Sequence, residues 1–196
     1  MNFSYKYKVF TNLEKTVHGT KIKEGNLLEG SIHKNIKETG NYTEVTNGKS
    51  IPLNGNTTRK NHKVDIFCKN DEQRIIRAYN SKGKSFNNTE SAEPLLKEYL
   101  AYKEAIQQQY PGYDVTYAIL KDEYDPNNGK YSKYHYLNQN GIPVYHTYGY
   151  LAEKYNIITE TIENQRLEET INILRGRFRE SKITKEELIS LLFDDE

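Results

Sequence analysis

Two short apolar segments joined by a polar turn constrain the fold of this chain more than any other feature. The segments, residues 63–68 and 74–82, are rich in β-branched and aromatic side chains, and residues 70–72 between them are Asn, Asp and Glu. Short segments of this kind on either side of a tight polar turn predict a β-hairpin. The hairpin fixes which residues from the two segments meet.

Three polar side chains gather at one end of this predicted hairpin. Asp65 lies near the start of the first strand and Lys82 lies at the end of the second. Antiparallel pairing therefore brings these two residues towards each other. Asn80 is two residues before Lys82, so both project from the same face of the strand. An acid, an amide oxygen and a lysine placed together can hold a divalent cation and a phosphate.

The remaining pattern predicts a mixed α/β fold, a sheet with helices packed over it. Apolar residues at every fourth position predict a helix over residues 26–38, and residues 42–54 predict a hairpin turning at Asn47 and Gly48. A second helix starts at Ser91, a buried strand covers 115–120 and a short strand covers 141–146. We expect a core of residues 1–150 and a helical extension over 151–196.

Composition limits the cellular context and the chemistry. The chain has 196 residues, enough for one domain with a core, and no stretch long and apolar enough to cross a bilayer. A single cysteine, Cys68, excludes a disulfide framework and favours the cytoplasm. The scattered histidines disfavour a zinc site, and no glycine-rich phosphate loop opens a helix, which disfavours nucleotide hydrolysis.

Charge is distributed unevenly along the chain. Residues 49–87 hold nine Lys and Arg against three Asp and Glu, whereas residues 151–196 hold seven against eleven. The basic block coincides with the hairpin that carries Asp65. It favours a polyanionic partner such as nucleic acid, although lysines protecting a solvated strand edge would give the same excess.

The order helix, three strands, helix, strand, with Asp65 and the Asn80-Ser81-Lys82 triplet on consecutive strands, resembles the PD-(D/E)xK nuclease family. The likeness covers about residues 24–150 and is greatest to type II restriction endonucleases. Val64-Asp65 stands in the place of the family's Pro-Asp, and the triplet stands in the place of its acid-x-Lys. Asn80 departs from the pattern, because the family usually has an acid there.

The resemblance implies a fold similar to that of restriction endonucleases and a Mg²⁺ cofactor. Asp65, Asn80, Ser81 through its backbone carbonyl, and Glu29 would be the metal ligands, and Lys82 would act near the scissile phosphate. Lys84 competes with Lys82 for that role. The ordinary alternatives are a strand-start aspartate, a solvated lysine at the end of a strand and, for Glu29, a surface glutamate on a helix.

The implied activity is sequence-specific hydrolysis of double-stranded DNA, and a palindromic target would require a homodimer. The acidic C-terminal helices are the candidate dimer surface. Two alternatives remain: a DNA-binding protein that kept the fold and lost catalysis, and a structure-specific repair nuclease. The candidate DNA contacts lie in two loops, although the tyrosine-rich segment of the second loop could instead be half-buried packing. They are Lys84, Ser85, Asn87, Asn88, Lys130 and Lys133.

Overall fold

The hairpin over residues 61–82 is the centre of the fold. The structure is a computed structural model that describes residues 24–53, 61–82, 91–122 and 124–158, with single positions at 165, 172 and 184. By its contacts the chain divides into one compact unit of Met1–Ser31 with Glu160–Glu196 and a second of Ile32–Thr159. The predicted division after residue 150 stays a prediction, and the predicted C-terminal helices fall almost wholly outside the described residues.

The described elements follow the predicted order. They are α1 (Glu24–Glu38), β1 (Glu44–Pro52), β2 (Asn61–Asn70), β3 (Ile75–Lys82), α2 (Ala92–Gln109), β4 (Asp114–Lys121), a 3-10 turn (Gly129–Tyr131), α3 (Ser132–Gln139), β5 (Val144–His146) and α4 (Thr147–Tyr155). The predicted mixed α/β class, a mixed sheet flanked by helices, is confirmed. Helices α3 and α4 have no counterpart in the sequence prediction; the tyrosine-rich segment with Lys133, predicted as part of a loop, is helical in α3.

The five strands form one sheet in the order β1-β2-β3-β4-β5. The pairs β1–β2 and β2–β3 are antiparallel, whereas β3–β4 and β4–β5 are parallel. The parallel step from β3 to β4 needs a crossover connection, and α2 supplies it. Because β3 and β4 lie inside the sheet and run in the same direction, their C-terminal residues come together at one end of the sheet.

Helix α2 covers one face of the sheet. Its buried residues are Tyr99, Tyr102, Ala105 and Ile106, spaced at helical intervals along one side. They pack with strand residues of the same cluster, including Phe67, Ala78 and Tyr117. The strand predicted over residues 115–120 forms β4, and every residue of that range except the half-buried Thr116 is buried, which explains its nearly continuous apolar sequence.

Linked tyrosine hydroxyls occupy another part of the same unit. The Tyr79 hydroxyl lies 2.6 Å from the Tyr155 hydroxyl and 3.1 Å from the Tyr150 hydroxyl. Tyr42 adds a further member to this group of linked hydroxyls, with its hydroxyl 2.9 Å from that of Tyr155. These contacts fasten α4 to the central strand β3. Tyrosine, abundant in this sequence, therefore provides buried area and satisfies its own polar ends.

The predicted hairpin at Asn47 and Gly48 is wrong. Both residues lie inside one continuous strand, β1, whose register pairs with β2 run from Glu44 to Pro52 and leave out Gly48. Gly48 does adopt the left-handed conformation that made it a turn candidate, with φ +74°. Pairing with β2 on both sides of Gly48 keeps the strand extended past this local irregularity.

No helix among the described residues is long and apolar enough to cross a membrane.

Candidate active site

Asp65 lies where the ladder between β2 and β3 ends. The paired residues run from Asn70 and Ile75 to Ile66 and Tyr79. Immediately beyond the last pair, the carboxylate oxygen Oδ2 of Asp65 accepts a hydrogen bond of 2.8 Å from the backbone N–H of Ser81. The Asp65 carboxylate thus takes the place of a backbone carbonyl as the acceptor for the Ser81 N–H. This hydrogen bond joins Asp65 to the predicted Asn80-Ser81-Lys82 triplet.

Irregular alternation along β2 places Asp65 at this position. Val64 and Phe67 both belong to the core under α2, although they are three residues apart. In a regular strand such residues would face opposite sides of the sheet. The inward-facing positions therefore shift by one residue between Val64 and Phe67, and Asp65 lies within that shift.

Gly48 forms the matching irregularity on β1. It stands opposite Asp65, between the pairs Asn47–Ile66 and Lys49–Val64. A Cβ atom at Gly48 would collide with Cε of Lys63, so the Lys63 side chain passes directly over this glycine. The structure thus adds Gly48 and Lys63 to the site. The Asn-Gly pair was the one available sequence signal, and it indicated a turn instead.

Burial dominates the electrostatics of Asp65. Desolvation raises the pKa of its carboxyl, and the Ser81 N–H, Lys82 and Lys63 oppose that rise. The predicted lysine therefore lies close enough to act on the predicted acid. A carboxylate held in a partly dehydrated position, with few donors, is suited to bind a cation that compensates its lost hydration.

Asn80 and Ser81 are almost completely buried, with exposed fractions of 5% and 6%. Among the residues that the structure describes, Asn80 Oδ1 and Ser81 Oγ have no hydrogen-bond partner. Buried polar atoms of folded proteins are usually paired, so an unpaired amide oxygen on Asn80, the residue before Ser81, is a feature to be explained. A bound cation or an ordered water would satisfy it.

The backbone of Ser81 also faces the site. In a strand, the N–H and the carbonyl of one residue point to the same neighbouring strand. Because the Ser81 N–H meets Asp65 of β2, the Ser81 carbonyl is directed towards β2 as well. The donor set of one carboxylate and two neutral oxygens consists of hard ligands and fits Mg²⁺.

A buried layer on the α2 side adjoins Asp65. The His62 ring stacks on Tyr102, with centroids 3.5 Å apart, and its Nε2 lies 3.1 Å from the Tyr117 hydroxyl. Tyr102 donates a hydrogen bond to Glu98. The pKa of Tyr117 is raised mainly by burial, with further contributions from Tyr99, Asp65 and Glu98. Glu98 and His62 are thus neighbours of the site that their positions in the sequence did not reveal.

Lys82 begins a row of basic residues across the ends of three strands. It pairs in register with Lys121 of β4, which pairs with His146 of β5. Lys121 is fully buried, and its ammonium donates to the Asp122 carbonyl at 3.1 Å. The rings of Tyr131 and Tyr134 lie about 6 Å from this ammonium, with centroid distances of 6.0 and 5.9 Å.

Two of the lysines predicted to contact DNA lie against the rings of these same tyrosines. Lys130 and Lys133 place their ammonium groups 5.0 and 5.5 Å from the ring centroids of Tyr131 and Tyr134. Both tyrosines are buried and pack in the core, so the packing alternative describes them better than direct DNA contact. The two lysines remain candidates for contacts with phosphates.

The structure does not test the other predicted residues. Glu29 is on α1, in the unit of Met1–Ser31 with Glu160–Glu196, and its role as a ligand stays a prediction. The first DNA-contact loop lies outside the described residues: Lys84, Ser85, Asn87 and Asn88. Across the described ranges, no three His, Cys, Asp or Glu side chains form a metal-binding group.

Comparisons with known proteins do not name a family. No protein-family model matches the chain, and no curated protein is significantly similar to it. The family resemblance therefore continues to depend on the motif and the order of the elements.

Proposed function

We propose that the protein is a Mg²⁺-dependent endonuclease that hydrolyses phosphodiester bonds in double-stranded DNA, similar to the type II restriction enzymes of the PD-(D/E)xK family. One observation carries the proposal. The Asp65 carboxylate accepts a hydrogen bond from the Ser81 N–H, and the residues on either side of Ser81 are Asn80, with a buried unpaired oxygen, and Lys82, whose charge opposes the rise in the Asp65 pKa. The observed order of helix, three strands, helix and strand supports the same family.

Each residue has a role in this proposal. Asp65, Asn80 Oδ1 and the Ser81 carbonyl would hold Mg²⁺, with Glu29 as a further ligand. When bound, the ion would lower the pKa of a coordinated water and stabilise the leaving oxygen. Lys82 supplies a positive charge that balances the extra negative charge of the phosphate during attack. Lys63 adds a second positive charge near the same carboxylate and would contribute to DNA attraction.

Further parts of the proposal concern assembly and location. A palindromic target would call for a homodimer, with the C-terminal helices as its surface, and the single cysteine favours a cytoplasmic protein. Light scattering of the purified protein would test the dimer directly. A monomer with and without DNA would remove the dimer from the proposal.

Cleavage of supercoiled plasmid DNA with Mg²⁺ tests the enzymatic proposal. We expect discrete fragments, loss of cutting in EDTA, and loss of cutting but not of DNA binding in Asp65→Ala. Asp71→Asn is the matched control, because Asp71 is an exposed acid at the opposite end of the same hairpin. Failure to cut varied DNA substrates with any divalent metal would overturn the proposal.

A second candidate follows from one specific observation, the neutral Asn80. A DNA-binding protein that has lost catalysis would bind DNA through the same basic surface and would not cut it. Asn80→Asp distinguishes the two. In an active enzyme the added charge should tighten Mg²⁺ binding, because hard cations prefer anionic oxygens. If only Asn80→Asp cleaves DNA and the parent protein binds without cutting, the second candidate is the correct one.

A further inference from the structure

A pocket lies beside the last strand of the sheet, at the start of α4. Its volume is about 500 Å³, and it is lined by Tyr145, His146, Gly149, Tyr150, Glu153 and Lys154. We call it the β5 pocket. Small-molecule pockets typically have about 300–1,000 Å³. The proposed nuclease chemistry uses none of these residues.

Two aromatic rings form the apolar part of the pocket. The rings of Tyr145 and Tyr150 are stacked, with centroids 4.1 Å apart and planes 15° from parallel. Tyr150 is held in place by its contact with the Tyr79 hydroxyl and by ring contacts with Tyr79 and Tyr155. Tyr145 is half-buried and has one face covered by Tyr150. Tyr150 therefore fixes the Tyr145 ring from one side, and the Tyr145 ring itself lines the pocket.

The polar groups of the pocket include both donors and acceptors. His146 Nδ1 accepts a hydrogen bond of 3.1 Å from the Gly149 N–H, so the proton of the neutral ring lies on Nε2, which is a donor. Lys154 and Glu153 are exposed and add a cation and a carboxylate. A planar ligand with polar edges and a nearby negative charge fits this combination. A nucleotide unit of a nucleic acid has all three properties.

Position supports the same ligand. His146 belongs to the row that starts with Lys82 and passes through Lys121, each the register partner of the next. Neighbouring strands lie about 4.8 Å apart, so the backbones at Lys82 and His146 are separated by about 10 Å. That distance corresponds to about three stacked nucleotides of one strand, at about 3.4 Å each. One strand could thus reach both the proposed catalytic lysine and the β5 pocket.

We propose that the β5 pocket binds an unpaired base of DNA by stacking it on Tyr145. The proposal deepens the proposed function, on which it depends for the choice of nucleic acid, by adding a site for single-stranded or locally opened DNA. Base stacking on an aromatic side chain is tolerant of sequence, because every base has a flat π-face. Such a site would favour substrates with unpaired positions.

The test compares Tyr145→Ala with Tyr145→Phe, both in the Asp65→Ala background to prevent cleavage. The probe is a short single-stranded oligonucleotide that contains a fluorescent adenine analogue, and its affinity is measured by anisotropy. Removing a stacking ring should weaken binding about 5- to 150-fold. Tyr145→Phe keeps the ring and should bind within about twofold of its parent. Quenching of the analogue on binding should persist in Tyr145→Phe and disappear in Tyr145→Ala.

One control makes the result specific. An oligonucleotide with abasic positions should lose the difference between the Ala and Phe variants, because it has no base to stack. Equal affinities of the two variants for the intact oligonucleotide, or bound DNA without quenching in either, would overturn the proposal. If the wild-type protein cuts no DNA while binding still depends on the ring at position 145, the nuclease proposal fails and the β5 pocket proposal stands.

Discussion

Replacing Asp65 by Asn separates the role of this residue in folding from its role in cation binding. Burial raises the pKa of the Asp65 carboxyl. The folded state therefore holds this proton more tightly than the unfolded state does. The stability that Asp65 contributes is fully present below its unfolded pKa, near 3.8, and is lost as the pH rises through the folded pKa. Above the folded pKa, the metal-free protein thus carries an unfavourable buried charge, which the neutral amide removes.

The structure also gives the size of the stability loss expected in a second variant, Asp65→Ala. In Asp65→Asn the amide oxygen can still accept from the Ser81 N–H, whereas Asp65→Ala removes that acceptor from a residue that is only 6% exposed. Leaving a buried N–H unpaired costs about 1–3 kcal/mol. For a unit of this size, that cost corresponds to a Tm lower by about 3–15 °C. We therefore expect Asp65→Asn to melt at or above the parent and Asp65→Ala to melt well below Asp65→Asn.

Thermal melting in EDTA and in Mg²⁺ measures both effects. Mg²⁺ should raise the Tm of the parent and of the Asp71→Asn control, because a ligand stabilises the state that binds it. It should leave the Tm of Asp65→Asn unchanged. A metal-free Asp65→Asn protein that melts far below the parent at neutral pH would show that the charge is stabilised by its neighbours, and the reasoning from burial would be refuted. An equal response to Mg²⁺ in both proteins would refute the ligand role.

Three further predictions concern neighbouring residues. Lys82→Ala should lower cleavage about 10²- to 10³-fold with DNA affinity little changed, as single-turnover and binding assays would show; an equal loss of both would contradict a role in stabilising the phosphate. Gly48→Ala should lower the free energy of unfolding by about 1–2 kcal/mol in urea, because of its left-handed φ of +74°, whereas the exposed Gly129→Ala should have a smaller effect. Tyr79→Phe should lower the free energy of unfolding in urea by about 1–3 kcal/mol, because the buried Tyr79 hydroxyl contacts two other hydroxyls. A loss of stability no larger than that of Tyr136→Phe would argue against the hydroxyl cluster.

Elements with a strong local pattern were predictable from the sequence. The hairpin over residues 61–82 followed from its apolar segments and polar turn, and α1 followed from apolar residues at every fourth position. The buried strand β4 followed from its continuous apolar sequence. In each case burial and local propensity favour the same structure, so a short window of sequence was sufficient.

The errors came from tertiary contacts that local patterns do not contain. Asn47 and Gly48 have the strongest turn signal in their segment, yet backbone pairing with β2 on both sides keeps β1 continuous. Helix α4 was missed because its position depends on hydroxyl contacts of Tyr150 and Tyr155 with Tyr79, which is more than 70 residues away. Such contacts depend on the assembled sheet and have no signature in a sequence window.

The candidate site was predictable in part, for a similar reason. Asp65, Asn80 and Lys82 could be brought together because a hairpin fixes its own pairing. Glu98 could not be found, because it lies on α2 and reaches the sheet only by packing. His62 lies on β2 itself, but its stacking on Tyr102 of α2 also depends on that packing. Their nearness to Asp65 is visible through the shared neighbour Tyr117.

The polar groups at the end of the hairpin are difficult to explain by folding alone. Asp65 is a partly buried carboxylate whose pKa is raised by desolvation, and Asn80, on the next strand, buries an amide oxygen that has no described donor. Each arrangement costs stability, and apolar residues of similar size would remove both costs. Neighbouring features that break the rules of stable packing are expected where a ligand supplies the missing interactions. One cation placed between these oxygens would satisfy both groups, which is why the Mg²⁺ dependence of stability is the most direct test of the proposed site.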